Sequence, residues 1–197
     1  MGLKRQKNRF SPLVLSRAIL ALIISLSILN GAILVDTAKA ASAKEIDIKV
    51  DAALERFKKD IAGAKSFLKE AQGVLVFPSV LKAGFGIGGE YGEGALRIGG
   101  KTVDYYSTAA ASIGFQLGAQ SKTIIIVFLD KDALKKFRNS SGWEIGVDGS
   151  VVLVTLGAGA SIDTTNIKDP IVGFVFSNKG LMYNLTLEGS KISKLKR

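Results

Sequence analysis

From Val74 onward, apolar residues come in short runs with a period of two, and the breaks between runs are made by glycine rather than proline. The chain carries 22 Gly against only 3 Pro. That pattern restricts the region to antiparallel strands joined by tight turns. Val74–Phe77 reads as a short strand ended by Pro78. Gly84–Gly92 and Ala95–Ile98 follow, and a Gly99-Gly100 turn leads into Thr102–Tyr106. Ser112–Ala119 and Lys122–Leu129 form a further pair, and Ile124–Leu129, apolar throughout, is expected as a central strand covered on both faces. Residues 151–156 form another strand, and Ile171–Ser177, Leu181–Leu187 and Lys191–Leu195 close the chain as a meander.

Before Val74 the period is helical. Ile46, Val50, Ala53, Leu54, Phe57, Ile61, Ala64 and Leu68 recur three and four apart, which predicts one amphipathic helix over 44–71 with Gly73 as its stop. Asp130 or Asp132 can cap a short helix carrying Ala133, Leu134 and Phe137. The expected class is α+β: a mainly antiparallel sheet of eight to ten short strands, or a partly closed barrel. One long N-terminal amphipathic helix and one short helix pack on it.

The N-terminal 40 residues have a different character. Lys4, Arg5, Lys7, Arg9 and Arg17 precede an apolar run from Ala18 to Val35, and Ala38-Lys39-Ala40 supplies a small-x-small cleavage pattern. This predicts a signal peptide over 1–40, a helix region over 41–72 and a β-rich domain over 73–197. Cleavage after Ala40 would place the mature chain in the periplasm or on the outer membrane; an uncleaved N-terminal anchor is the alternative. Of the formal charge of +10, half belongs to this segment, with six Lys/Arg and one acid. The remaining charge gives little reason to expect nucleic acid as a partner.

The chain has neither Cys nor His. Thiol nucleophiles, imidazole bases, disulfides and the usual zinc and copper ligand sets are therefore excluded. Gly84-x-Gly86-x-x-Gly89 matches a dinucleotide fingerprint as a string, but no helix is expected after it. Ser79-x-x-Lys82 and Ser66-x-x-Lys69 lack the partner motifs of penicillin-recognising enzymes. Glu90/Glu93, Asp130/Asp132 and Asp163/Asp169 have no spacing that marks a catalytic or calcium site. The chain reads as a non-enzyme with no cofactor and no metal.

Glycines are ordered within the strands. Gly84, Gly86 and Gly88 fall on one face of one strand, Gly114 and Gly118 on one face of another, and Gly157 and Gly159 on one face of a third. Either a helix or sheet approaches these bare faces closely, or they floor a groove walled by Phe85, Ile87, Phe115 and Leu117 that suits an acyl chain. Lys82, Arg97, Lys101 and Lys179 lie near expected turns and could meet anionic headgroups. These eight side chains are the candidate lipid-binding residues.

Several of the same segments resemble the SYLF domain, a lipid-binding module also known from yeast actin-patch regulators. They are Lys82–Phe85, Gly114–Ala119, Thr123–Leu129 with Ala133 and Phe137, Lys179–Leu181 and Leu187–Ser190. Trp143 and Val147–Ser150, with the leader, are similar to an exported bacterial branch. Leu156–Ile162 departs from the eukaryotic pattern. The resemblance implies binding to phospholipid, with an anionic lipid or membrane surface as partner and no catalytic residues. It also implies a protein-interaction role of the actin-binding type as the alternative.

Overall fold

The computed structural model describes residues 41–114, 120–153, 167, 169–177, 180–181, 187 and 189–197; for 84–87, 112–114, 176–177 and 180–181 only the backbone is described. Ala41–Arg197 forms one compact unit. The expected leader and most of the strands expected at 151–156 and 181–187 lie outside the described residues.

Helix α1 (Ala43–Asp60) begins at a capping box: Ser42 accepts from the Glu45 amide, and the Glu45 carboxylate accepts from the Ser42 amide. The stripe expected to run unbroken to residue 71 is interrupted. Ile61 is extended, Gly63 is left-handed at φ 81°, and a second helix, α2 (Ala64–Glu70), starts there. The break lets Ile61, Ala64 and Phe67 all reach the core, which one straight helix of this length could not do over a curved sheet.

Among the described residues the sheet has eight strands, in the order β4 (Trp143–Glu144), β8 (Lys191–Leu195), β2 (Lys101–Gly114), β1 (Gly73–Ile98), β3 (Gln120–Phe128), β6 (Ile171–Ser177) and β5 (Val152–Leu153), with β7 (Gly180–Leu181) on β6, and it curls into a half-barrel. Strand β1 (Gly73–Ile98) runs 26 residues and β2 (Lys101–Gly114) runs 14, both longer than the short strands expected. An extended β1 would hold Gly73 and Leu96 about 76 Å apart. Instead a Cβ on Gly73 would lie 3.4 Å from Leu96 Cδ1, and Lys82 Nζ lies 3.7 Å from Glu90 Oε1. β1 therefore folds back like a hairpin around residues 84–87, but its two arms meet face to face, paired with β3 and β2 rather than with each other. Its first arm pairs β3 (Gln120–Phe128) from Gly73 to Lys82, and its second arm pairs β2 from Gly86 to Ile98. Pro78 does not end the first strand. It sits in the register shift between Phe77 and Val80, where its missing N–H costs no ladder bond, and its carbonyl accepts from Thr123 Oγ1 at 2.8 Å. The Gly99-Gly100 turn has positive φ at both residues, 57° and 80°, the conformation of a two-residue hairpin turn.

After β3, Asp130 accepts from the Ala133 amide at 2.7 Å and caps α3 (Lys131–Asn139). The remaining strands are β4 (Trp143–Glu144), β5 (Val152–Leu153), β6 (Ile171–Ser177), β7 (Gly180–Leu181) and β8 (Lys191–Leu195). β5 runs parallel to β6; the other pairings are antiparallel.

Period-two alternation divides the core between the sheet's faces. Val74, Val76, Ala95, Ile125, Val127, Val172 and Phe174 face α1 and α2, where Phe174 meets Phe57 and Phe67 at ring distances of 4.9 and 5.7 Å. Leu75, Phe77, Leu96, Ile124, Ile126 and Phe128 face α3, whose Phe137 lies against Tyr106, Phe128 and Trp143. The Ile124–Phe128 segment of β3 is buried on both faces between β1 and β6, as its composition predicts.

Candidate functional site

Strand register sorts the eight candidates between two ends of the sheet. Gly86 pairs with Gly114, Lys82 with Gln120 and Lys122 with Ser177. The tip of the β1 hairpin, the last residues of β2, the first of β3 and the last of β6 thus share one end. Lys82 lies there, as do the backbones of Phe85 and Ile87. Phe115, Leu117 and Lys179 belong to the segments that leave and return at this end and lie outside the described residues. The opposed Gly86 and Gly114 put two of the expected glycine faces on the same side of the sheet.

Arg97 and Lys101 lie at the other end, on the order of 40 Å of strand away. Arg97 Nη2 is 2.7 Å from Asp51 Oδ1, 3.5 Å from Asp47 Oδ1 and 3.3 Å from the Asp47 carbonyl. Asp47 also accepts from Thr102 Oγ1 at 2.6 Å and from the Tyr105 hydroxyl at 2.9 Å. Burial first, and then this bond to Asp47, raises the Tyr105 hydroxyl above its usual pKa. The Arg97 charge is thereby committed to holding α1 on the sheet. Lys101 is exposed at the Gly99-Gly100 turn.

At the hairpin end the two faces differ. On the face shared with α3, the Glu90 carboxylate lies 2.5 Å from Lys122 Nζ and 3.7 Å from Lys82 Nζ, and Lys122 is only 7% exposed. A buried lysine needs such a partner, and one carboxylate between two ammonium groups leaves a single positive charge in excess. On the opposite face, beyond the part of the sheet that α1 and α2 cover, apolar surface is open to solvent. The arms of β1 meet through Val80, Lys82, Glu90 and Gly92, so the alternate residues Leu81 and Tyr91 point away from that contact. They are 56% and 52% exposed. Tyr91 also pairs with Ala109, and Gly89 with Ala111, and all of these together with Ala83 are exposed. The Tyr91 hydroxyl donates to Glu93 at 3.0 Å, and Arg197 Nη2 meets the same Glu93 oxygen at 2.8 Å. Burial, then the bond to Glu93, raises the Tyr91 pKa.

Sequence reading did not single out Leu81 and Tyr91. They stand five residues either side of Gly86, the middle of the glycine series, and no local pattern marks either as exposed.

Architecture and site together define a class: an antiparallel half-barrel with helices on both faces and an open apolar surface at one end. Within it, the family model described as "Ysc84: Las17-binding protein actin regulator" matches residues 109–197. This stretch, from the last six residues of β2 through β8, is similar to the Ysc84 (SYLF) family. The α1–α2 segment and the β1 hairpin precede the match. No curated protein matches the chain.

Proposed function

We propose that the chain is an exported, non-enzymatic module that attaches to anionic lipid surfaces of the cell envelope through the hairpin end of its sheet. One observation carries the reading: two large apolar side chains, Leu81 and Tyr91, are each more than half exposed at this end of the sheet, among exposed small residues Ala83, Gly89, Ala109 and Ala111. Burying one such side chain contributes about 1.5–3 kcal/mol. A pair with flanking alanines therefore supplies useful affinity for an interface, where the polar tip of Tyr91 can stay wet. Lys82 and Lys122 share the one Glu90 carboxylate on the other face of the same end, which leaves a positive charge near where anionic headgroups would lie. The leader and its Ala38-Lys39-Ala40 site support export, with Ala41 as the mature N-terminus. The chain's lack of Cys and His supports a binding role over catalysis.

Co-sedimentation of residues 41–197 with vesicles is the test. The reading expects recovery with phosphatidylcholine vesicles containing anionic lipid and weaker recovery with phosphatidylcholine alone; absence from both pellets refutes it. A second reading, a protein-interaction module of the actin-binding type, is favoured by the likeness of residues 109–197 to a family of Las17-binding actin regulators. Enrichment of residues 41–197 in a filament pellet supports that reading, and no enrichment disposes of it.

A further inference from the structure

A second charged feature lies far from the hairpin tip, between α3 and β8. Lys131, Lys135 and Arg138 are spaced i, i+4, i+7, so they form one stripe along α3, and Lys194 of β8 faces them across an open cleft of about 360 Å³. Asn139 adds an amide, Leu134 forms the apolar wall, and no acidic side chain is among the described residues lining the cleft.

Beneath the cleft, Asp104 of β2 is largely buried and serves two of these cations. Its Oδ2 lies 3.1 Å from Arg138 Nη2 and accepts from Arg138 Nε at 3.1 Å, while its Oδ1 lies 2.5 Å from Lys194 Nζ. One carboxylate thus fixes a guanidinium and an ammonium side by side and neutralises one of four positive charges. Arg138 suits the last turn of α3, but the other end of the stripe opposes helix stability. Like charges at i and i+4 repel, and Lys131 occupies the first turn of α3, where the helix dipole disfavours a cation. A fold that only needed Asp104 matched would require one cation, not four.

We infer that this cleft binds a phosphomonoester dianion. Two positive groups anchored to one carboxylate, with two more on flexible stems beside them, match a compact ligand carrying about two negative charges and several acceptor oxygens. A phosphomonoester at a lipid headgroup and one on a small soluble molecule offer the same chemistry. The site is separate from the Leu81–Tyr91 surface and does not depend on it.

The test uses the Ala41–Arg197 unit, which contains every described residue of both hydrophobic cores. The site variant is K135Q/K194Q. The control variant K136Q/K196Q removes equal charge at exposed positions outside the cleft lining. Circular dichroism and thermal unfolding establish that both remain folded. Affinity is measured for glycerol 3-phosphate by calorimetry and for phosphatidylcholine vesicles with and without phosphatidic acid by co-sedimentation. The expected result is a tenfold or greater loss in the site variant and less than twofold in the control. Loss on both probes assigns a phosphate that can be free. Loss confined to phosphatidic acid vesicles, with no glycerol 3-phosphate binding, assigns a lipid headgroup. Equal losses in the two variants, or binding to neither probe, overturn the inference. Vesicle binding that survives in K135Q/K194Q but is lost on changing Leu81 and Tyr91 would sink the cleft and leave the proposed function standing.

Discussion

Tyr105 on β2 donates its hydroxyl to Asp47 on α1 across 2.9 Å, and the same carboxylate takes Thr102 and Arg97. A helix whose apolar stripe alone would let it slide over a curved sheet is fixed in register by this one side chain. Asp47→Ala removes the acceptor shared by three donors at partly buried positions. It is expected to cost about 2–3 kcal/mol, whereas Asp51→Ala, whose carboxylate is mostly in water, is expected to cost less than about 1 kcal/mol. Urea unfolding of both variants checks this, with unchanged m-values showing that only stability has moved.

The hairpin of β1 makes its own demand. A Cβ on Gly94 would collide with the Val76 carbonyl and with Phe77, and one on Gly92 would meet Ser79 O and Val80 Cγ2 at 2.8 Å. Backbone cannot yield as a flexible side chain can, so Gly94→Ala is expected to destabilise by about 3 kcal/mol or more. Gly89→Ala would meet only Ala110 O at 3.7 Å and is expected to be nearly neutral. Thermal unfolding of the two variants should separate them clearly.

Tyr106 gives the fold a signature at alkaline pH. Burial first, then the Asp104 charge, pushes its hydroxyl up to about 12, and that buried oxygen has no hydrogen-bond partner among the described residues. The unfolded tyrosine ionises near 10 while the folded one stays protonated. Its contribution is therefore complete below pH 10 and is lost as pH rises from 10 toward 12. Tyr91 and Tyr105 shift in the same direction. Stability measured from pH 8 to 12 should fall, and Tyr106→Phe should make the fall shallower. Because the substitution also removes an unpartnered buried oxygen, stability at pH 7 should be unchanged or slightly higher.

Elements set by neighbouring residues were legible in the sequence. The Ile171–Ser177 and Lys191–Leu195 strands, the two-sided burial of Ile124–Phe128, the Asp130 cap and the Gly99-Gly100 turn follow from local pattern and turn chemistry. Features set by distant contacts were not. Pro78 reads as a strand end because its neighbours in sequence do not show the bulge that accommodates it. The break at Gly63 is hidden because the apolar spacing continues through it. Arg97 reads as a spare charge near a turn, since nothing local reveals that Asp47 and Asp51 will face it. The open surface at Leu81 and Tyr91 depends both on the hairpin and on how far α1 and α2 extend, and neither is encoded nearby.

Since Leu81 and Tyr91 are exposed, changing them tests attachment without disturbing the core. Leu81→Glu with Tyr91→Glu is expected to lower affinity for anionic vesicles at least about tenfold, from the lost apolar burial and the added negative charge. The urea midpoint should stay within about 0.5 kcal/mol of the parent's stability. Lys82→Gln, whose charge is already shared with Glu90, is expected to change affinity less than threefold. Vesicle titration and denaturant unfolding check the three statements together.

Hydrogen exchange of Ala41–Arg197, with and without vesicles of phosphatidylcholine and phosphatidylglycerol, asks directly which surface meets lipid. If the hairpin end is that surface, amides at 79–83, 89–92 and 109–111 slow on adding vesicles while those of α1 keep their rates. Slowing confined to α1 and α2, or no slowing anywhere in the unit, would contradict the account.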